Sequence, residues 1–194
     1  MALPRRDALN HTYADYLTWP DGERAELIDG IAYIREPPAP SRFHQELAGE
    51  LYLQIRLALE GTSCRAYVAP FDVRLPKAGE PDRQIDTVVQ PDVLIVCDRR
   101  KLDKRGMRGA PDWVAEVLSP TTAGHDQIVK VPVYERAGVR EVWLVHPTDR
   151  MLTIYRLDEG RYGPPAILEL KGRTEIVAIP GVSIDWDRAT AMLE

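Results

Sequence analysis

Apolar and polar positions follow two periods along this chain. Phe43, Leu47, Leu51, Ile55 and Ala58/Leu59 recur at helical spacing. That period predicts an amphipathic helix, with Ser41 as N-cap and Gly61 as C-terminal stop. Short apolar runs predict strands over Ala66 to Leu75, Asp86 to Val89, Val93 to Cys97, Trp113 to Leu118 and Glu141 to His146. Ala25 to Ile34 reads as two short strands around Asp29-Gly30, a hairpin signal. A second helix is predicted from about Asp126 to Ala137, with Asp126 as N-cap and Gly138 closing it. Pro132 inside it removes a backbone donor, so the helix is kinked there or its regular part starts later. A short entry helix over Thr12 to Leu17 precedes these elements. Leu152 to Arg156 pairs back as a hairpin. Strands near Ile167–Leu170 and Glu175–Ile179 follow, then a terminal helix from Asp187 to Leu193.

The Glu116 strand, the following helix and the Val142 strand form a βαβ pattern. It favours an α/β or α+β fold with a mixed sheet. At about 100–200 residues per domain, a chain of 194 residues is read as one domain, 1–194. An apolar fraction of 44% excludes whole-chain disorder. No apolar run approaches the ~20 residues of a membrane span. Met1 to Asn10 lacks the apolar core of a signal peptide, so a cytoplasmic protein is expected. Cys64 and Cys97 are far apart in sequence with no CxxC, and read as buried thiols rather than a disulfide or metal site.

The net charge of −5 argues against a general nucleic-acid coat protein. The charge is uneven, however. Arg99, Arg100, Lys101, Lys104, Arg105 and Arg108 face only Asp98 and Asp103 in one short segment, which carries +4. Such a segment is either a phosphate-facing loop or a solvated surface loop. No phosphate-binding glycine loop, GxSxG or HExxH occurs. The four histidines show no zinc-ligand spacing.

An acidic pair and a lysine remain. Pro91-Asp92 opens the strand Val93–Val96, and Glu116 lies inside the strand Trp113–Leu118. A carboxylate in an apolar strand is costly to bury unless paired, hydrogen-bonded or metal-bound. On neighbouring strands, Asp92 and Glu116 would suit one hard divalent cation, with water and substrate oxygens completing its shell. A lysine beside them can orient the attacking water and stabilise developing charge. Taken singly, Asp92 also reads as a turn residue, Glu116 as a solvent-facing or Arg-paired strand residue, and Lys130 as surface.

Pro91-Asp92, Glu116-Val117-Leu118-Ser119-Pro120, Lys130, Tyr134, Gly138-Val139, Trp143 and Pro147 resemble the Uma-two family of restriction endonuclease-like proteins, within the PD-(D/E)XK nuclease superfamily. Glu26 to Gly30, His44, and Ile179-Pro180-Gly181-Val182 with Asp185 extend the likeness to roughly residues 12 to 193. The resemblance implies a restriction endonuclease-like core with a central mixed β-sheet flanked by helices. It implies Asp92 and Glu116 as metal ligands, aided by the backbone carbonyl of Val117, with Mg2+ or Mn2+ as cofactor. The superfamily lysine falls at Leu118 here, and Lys130 on the following helix is the matching position. Glu26 and His44 match as accessory residues, although a hairpin carboxylate and a core histidine remain open for them.

These readings lead to a metal-dependent endonuclease that hydrolyses DNA, with Asp92, Glu116 and Lys130 catalytic and the Arg99–Arg108 segment approaching the DNA backbone. A homodimer is expected, because cutting both strands needs two sites. The rival is a non-catalytic nucleic-acid-binding or protein-interaction scaffold with a degenerate nuclease site. RNA cleavage by the same site is a weaker alternative, because few aromatics are available as stacking platforms.

Overall fold

The computed structural model describes residues 5–7, 10–20, 24–35, 41–77, 79–120 and 122–191. The chain opens with β1 (Arg5–Asp7) and α1 (Tyr13–Tyr16), followed by the hairpin β2 (Arg24–Ile28) and β3 (Ile31–Arg35). Asp29 and Gly30 both have positive φ at its turn, as the Asp-Gly pair predicts. The helix α2 (Arg42–Ala58) comes next, and the Ser41 side chain accepts from the His44 N–H at its start. It is followed by β4 (Arg65–Val68), β5 (Val73–Arg74), β6 (Val88–Val89), β7 (Val93–Val96), β8 (Leu102–Asp103), β9 (Gly106–Arg108) and β10 (Trp113–Val117).

A helical stretch then runs through α3 (Ala123–His125), a π-helical turn (Asp126–Lys130) and α4 (Val131–Ala137). The sequence places the helix start at Asp126; the structure starts it a turn earlier, and the Asp126 N–H bonds to the Thr122 carbonyl. Pro132 stands at the start of α4, just after the π-helical turn, and the regular α-helix starts only there, the later start that its missing N–H predicts. The remaining elements are β11 (Glu141–His146), β12 (Met151–Asp158), β13 (Arg161–Tyr162), β14 (Ala166–Glu169), β15 (Arg173–Glu175), β16 (Ser183–Asp185) and α5 (Trp186–Thr190).

One sheet has the order β13-β12-β11-β10-β7-β4, with β14 also on β12. Strands β10 and β11 are parallel and joined by the α3–α4 stretch, which is the expected βαβ unit. Strand β7 lies antiparallel to β10, so the sheet is mixed. A second sheet, β1-β3-β2-β6-β5-β9-β8, carries the N-terminal hairpin. The run read as one strand over Ala66 to Leu75 divides between the sheets, β4 in the central one and β5 in the other.

Alternation along the central strands creates two cores. Val93, Ile95, Trp113, Ala115, Val117 and Trp143 pack on one face against Leu47, Leu51 and Ile55 of α2. Leu94, Val96, Val114, Val142 and Leu144 pack on the other against Val133 and Tyr134 of α4 and Val73 and Val89 of the second sheet. This is the α/β restriction endonuclease-like arrangement expected from the sequence.

The cysteines correct the sequence reading. Cys64 and Cys97 form a disulfide. Strand β4 pairs antiparallel with β7, with Arg65 opposite Val96. One step further along the same register, Cys64 stands opposite Cys97, so pairing of the strands brings together two thiols that are remote in sequence.

Candidate active site

The register of β7 and β10 positions the acidic pair. Val93 stands opposite Ala115. The next step of that antiparallel register sets Asp92 opposite Glu116, as cross-strand neighbours. Asp92 Oδ2 accepts the Val117 N–H at 2.8 Å and lies 3.1 Å from His44 Nε2. Burial alone would raise the Asp92 carboxyl. The His44 hydrogen bond, the charges of His44 and Lys130 and the Val117 N–H outweigh it, and hold the group below the usual carboxylate range. Asp92 is therefore kept as an anion at the end of an apolar strand.

Glu116 is 1% exposed and Lys130 0%. Lys130 Nζ lies 2.6 Å from Glu116 Oε1, 3.0 Å from Glu26 Oε1 and 3.6 Å from Asp126 Oδ1. The lysine comes from the last residue of the π-helical turn. A π turn is a common device at functional sites. Here it directs Lys130 inward while Pro132 starts the regular helix behind it. Leu118 occupies the strand position two residues after Glu116, and its side chain is part of the core against α4. The ammonium reaches the carboxylates from the helix instead.

The second sheet supplies Glu26 from β2. Its Oε1 accepts the Gln90 N–H at 2.9 Å, and its Oε2 lies 3.0 Å from His125 Nε2. Glu26 and His44 are thus both in the site: Glu26 against Lys130, and His44 against Asp92. Tyr134, quoted above without a role, donates its hydroxyl to Glu116 Oε1. Burial, then the Glu116 charge, push the Tyr134 hydroxyl well above its usual range, so it stays protonated as a donor. His125 and Asp126 are the residues that sequence reasoning missed. The helical periodicity of the segment held no signal for His125, which meets a carboxylate 99 positions away. The sequence pattern makes Asp126 a cap, whereas it is 2% exposed and faces Lys130.

Three carboxyl groups, those of Glu26, Glu116 and Asp126, thus surround one lysine, and Asp92 lies across the strand pair from Glu116. Like charges so close together disfavour full ionisation. Burial, reinforced by Asp126, Asp92 and Glu26, pushes the Glu116 carboxyl up to about 8 despite the opposing Lys130. A divalent cation relieves the same excess of negative charge. Among the described residues no three His, Cys, Asp or Glu side chains are grouped to hold a metal on their own. Two carboxylates completed by water and substrate oxygens are a donor set that hard divalent cations accept.

The basic segment follows the Cys97 end of β7, five residues from Asp92, about 17 Å along an extended strand at ~3.3 Å per residue. Arg100 is paired with Asp98, Lys101 donates to the Ala110 carbonyl and Arg108 to the Glu80 carbonyl. Arg99, Lys104 and Arg105 are exposed.

Among solved structures, the chain is similar to one titled as a "putative nuclease belonging to DUF820" from Anabaena variabilis ATCC 29413. The TM-score is 0.73 at 18% identity, covering 94% of this chain and 99% of that one. At that identity the likeness shows the fold. No curated protein matches the chain. A family model described as "Putative restriction endonuclease" matches residues 13–187. That span holds Glu26, His44, Asp92, Glu116 and Lys130, and with it the chain belongs to the Uma2 family.

Proposed function

We propose that this protein is a Mg2+- or Mn2+-dependent endonuclease that hydrolyses phosphodiester bonds in DNA. The observation that carries the reading is the buried cluster in which Glu26, Glu116 and Asp126 surround Lys130 Nζ, with Asp92 held as an anion beside it. A cluster so rich in acid is a poor structural element, because buried charge stabilises only when closely balanced. It is well suited to a cation and a phosphate.

Asp92, Glu116 and the Val117 carbonyl hold the ion, and Tyr134 fixes the orientation of Glu116. The ion, when bound, supplies Lewis acidity toward a phosphoryl oxygen and lowers the pKa of water. Lys130 orients the attacking water and stabilises charge on the phosphorane-like transition state. Glu26, anchored by the Gln90 N–H and His125, sets the position of Lys130. His44 holds Asp92. Arg99, Lys104 and Arg105 meet the DNA backbone outside the buried cluster. A homodimer would bring a second copy of this site to the substrate.

Supercoiled plasmid with Mg2+ or Mn2+ tests the reading. Wild type is expected to nick it, EDTA to stop it, and Glu116→Ala and Lys130→Ala each to lose at least about 100-fold in rate, the scale of one catalytic group. Equal nicking by all three proteins, or none by wild type, would leave the cluster as the core of a binding scaffold.

A further inference from the structure

A half-open pocket of about 290 Å3 lies beside His44, the residue that contacts Asp92. It lies between the first turn of α2, the loop after β10 and the turn joining β11 to β12. Its lining includes Phe43, His44, Leu118, Ser119, Pro147 and Arg150. His44 is shared with the site described above, since its Nε2 contacts Asp92. Parallel β10 and β11 both end there, and the carboxyl ends of such strands are where open α/β sheets take ligands. A volume of this size equals about ten waters at ~30 Å3 each, the scale of a single nucleoside.

The lining chemistry narrows the occupant. Phe43 falls on the apolar stripe that predicts burial, yet the residue is 41% exposed while Leu47, Leu51 and Ile55 are wholly buried. The Arg42 guanidinium stands over the Phe43 ring, 4.7 Å from its centroid. Leu118 and Pro147 add apolar surface, and Arg150 is exposed at the rim. Arg42 covers one face of the ring and pairs with Glu46 at 3.3 Å; a part-exposed aromatic side chain beside Arg150, with apolar neighbours, suits a flat base that carries a phosphate.

We propose that this cavity receives one unpaired nucleobase of the strand whose phosphate lies at Asp92 and Glu116. The base stacks on Phe43, and Arg150 engages a phosphate of the same strand. The substrate class is then nucleic acid that is single-stranded at the cut, such as a flap, bubble or free strand. The proposal rests on the nuclease reading, and the test separates the two.

A DNA oligonucleotide carrying 2-aminopurine is titrated in EDTA, as a single strand and as a duplex, into wild type, Phe43→Ala and Arg150→Ala. The same strands without the probe are then offered for cleavage with Mn2+. Wild type should quench the single-strand probe and bind it at least about tenfold more tightly than the duplex. Phe43→Ala should abolish the quench and weaken binding about tenfold, the scale of one lost stack. Arg150→Ala should lower the salt slope by about 1. Phe43 is exposed, so both proteins should melt alike. Cleavage without any strand preference, and without effect of Phe43→Ala, would overturn the cavity assignment and leave the nuclease reading standing. Quenching that depends on Phe43, with no cleavage of any substrate, would support the base site and overturn the nuclease. Absence of both overturns both.

Discussion

Glu116 holds a proton in the fold at pH values where the unfolded chain does not. Its ordinary value is 4.5 and the folded value about 8, with burial as the largest cause. Its contribution to stability is therefore fully present below about 4.5 and is lost as pH rises through about 8. In metal-free buffer the unfolding midpoint of wild type should fall with pH across that window, relative to Glu116→Gln, whose amide does not titrate. Parallel pH profiles for the two proteins would show that Glu116 is an ordinary ionised carboxylate. At this scale Asp92 and Glu116 were legible, because carboxylates beside apolar runs demand an explanation. Lys130 became legible only through the family resemblance, since a lysine on a helix is ordinarily solvated. His125, Asp126 and the role of Tyr134 were illegible, because their partners are fixed by packing between elements rather than by any local pattern.

Among the elements, strand register does most of the positioning. The β7–β10 register sets Asp92 against Glu116, and the β4–β7 register sets Cys64 against Cys97. Strand existence was readable from the apolar runs, while register was not, and the disulfide was missed for that reason. The bridge closes a separation of 33 residues. Its reduction should cost about 3–4 kcal/mol by the loop-entropy relation, read as a lowered melting temperature in reductant. Cys64→Ser should melt like the reduced wild type, with no further response to reductant. An unchanged melt would mean that the thiols are free in solution. The π turn is a second case. Pro132 announced an irregularity in the helix, but not that the preceding turn would widen and direct Lys130 into the core.

Taken whole, the molecule brings two sheets to one buried cluster. The central sheet contributes Asp92 and Glu116, the second contributes Glu26, and α2 contributes His44. The fold class was legible from the order of strands and helices. Assembly of the site across sheets was not, because Glu26 and Lys130 meet over a long sequence separation. The charge of the basic segment is plain in the sequence, and its exposed members Arg99, Lys104 and Arg105 remain open to a partner. DNA binding should weaken with salt, and replacing Arg99, Lys104 and Arg105 by Ser should reduce the log–log slope by about 3, one per phosphate contact. An unchanged slope would place the DNA on another face.

Divalent-metal binding by calorimetry, on wild type and Glu116→Gln, tests the central claim most directly. The expected result is binding of Mn2+ or Mg2+ by wild type, with proton release as the Glu116 carboxyl gives up its proton near pH 7. Glu116→Gln, still folded, should lose both the binding and the proton release. Equal heats and equal proton counts for the two proteins would contradict the claim, and the carboxyl cluster would then be a structural feature of the fold.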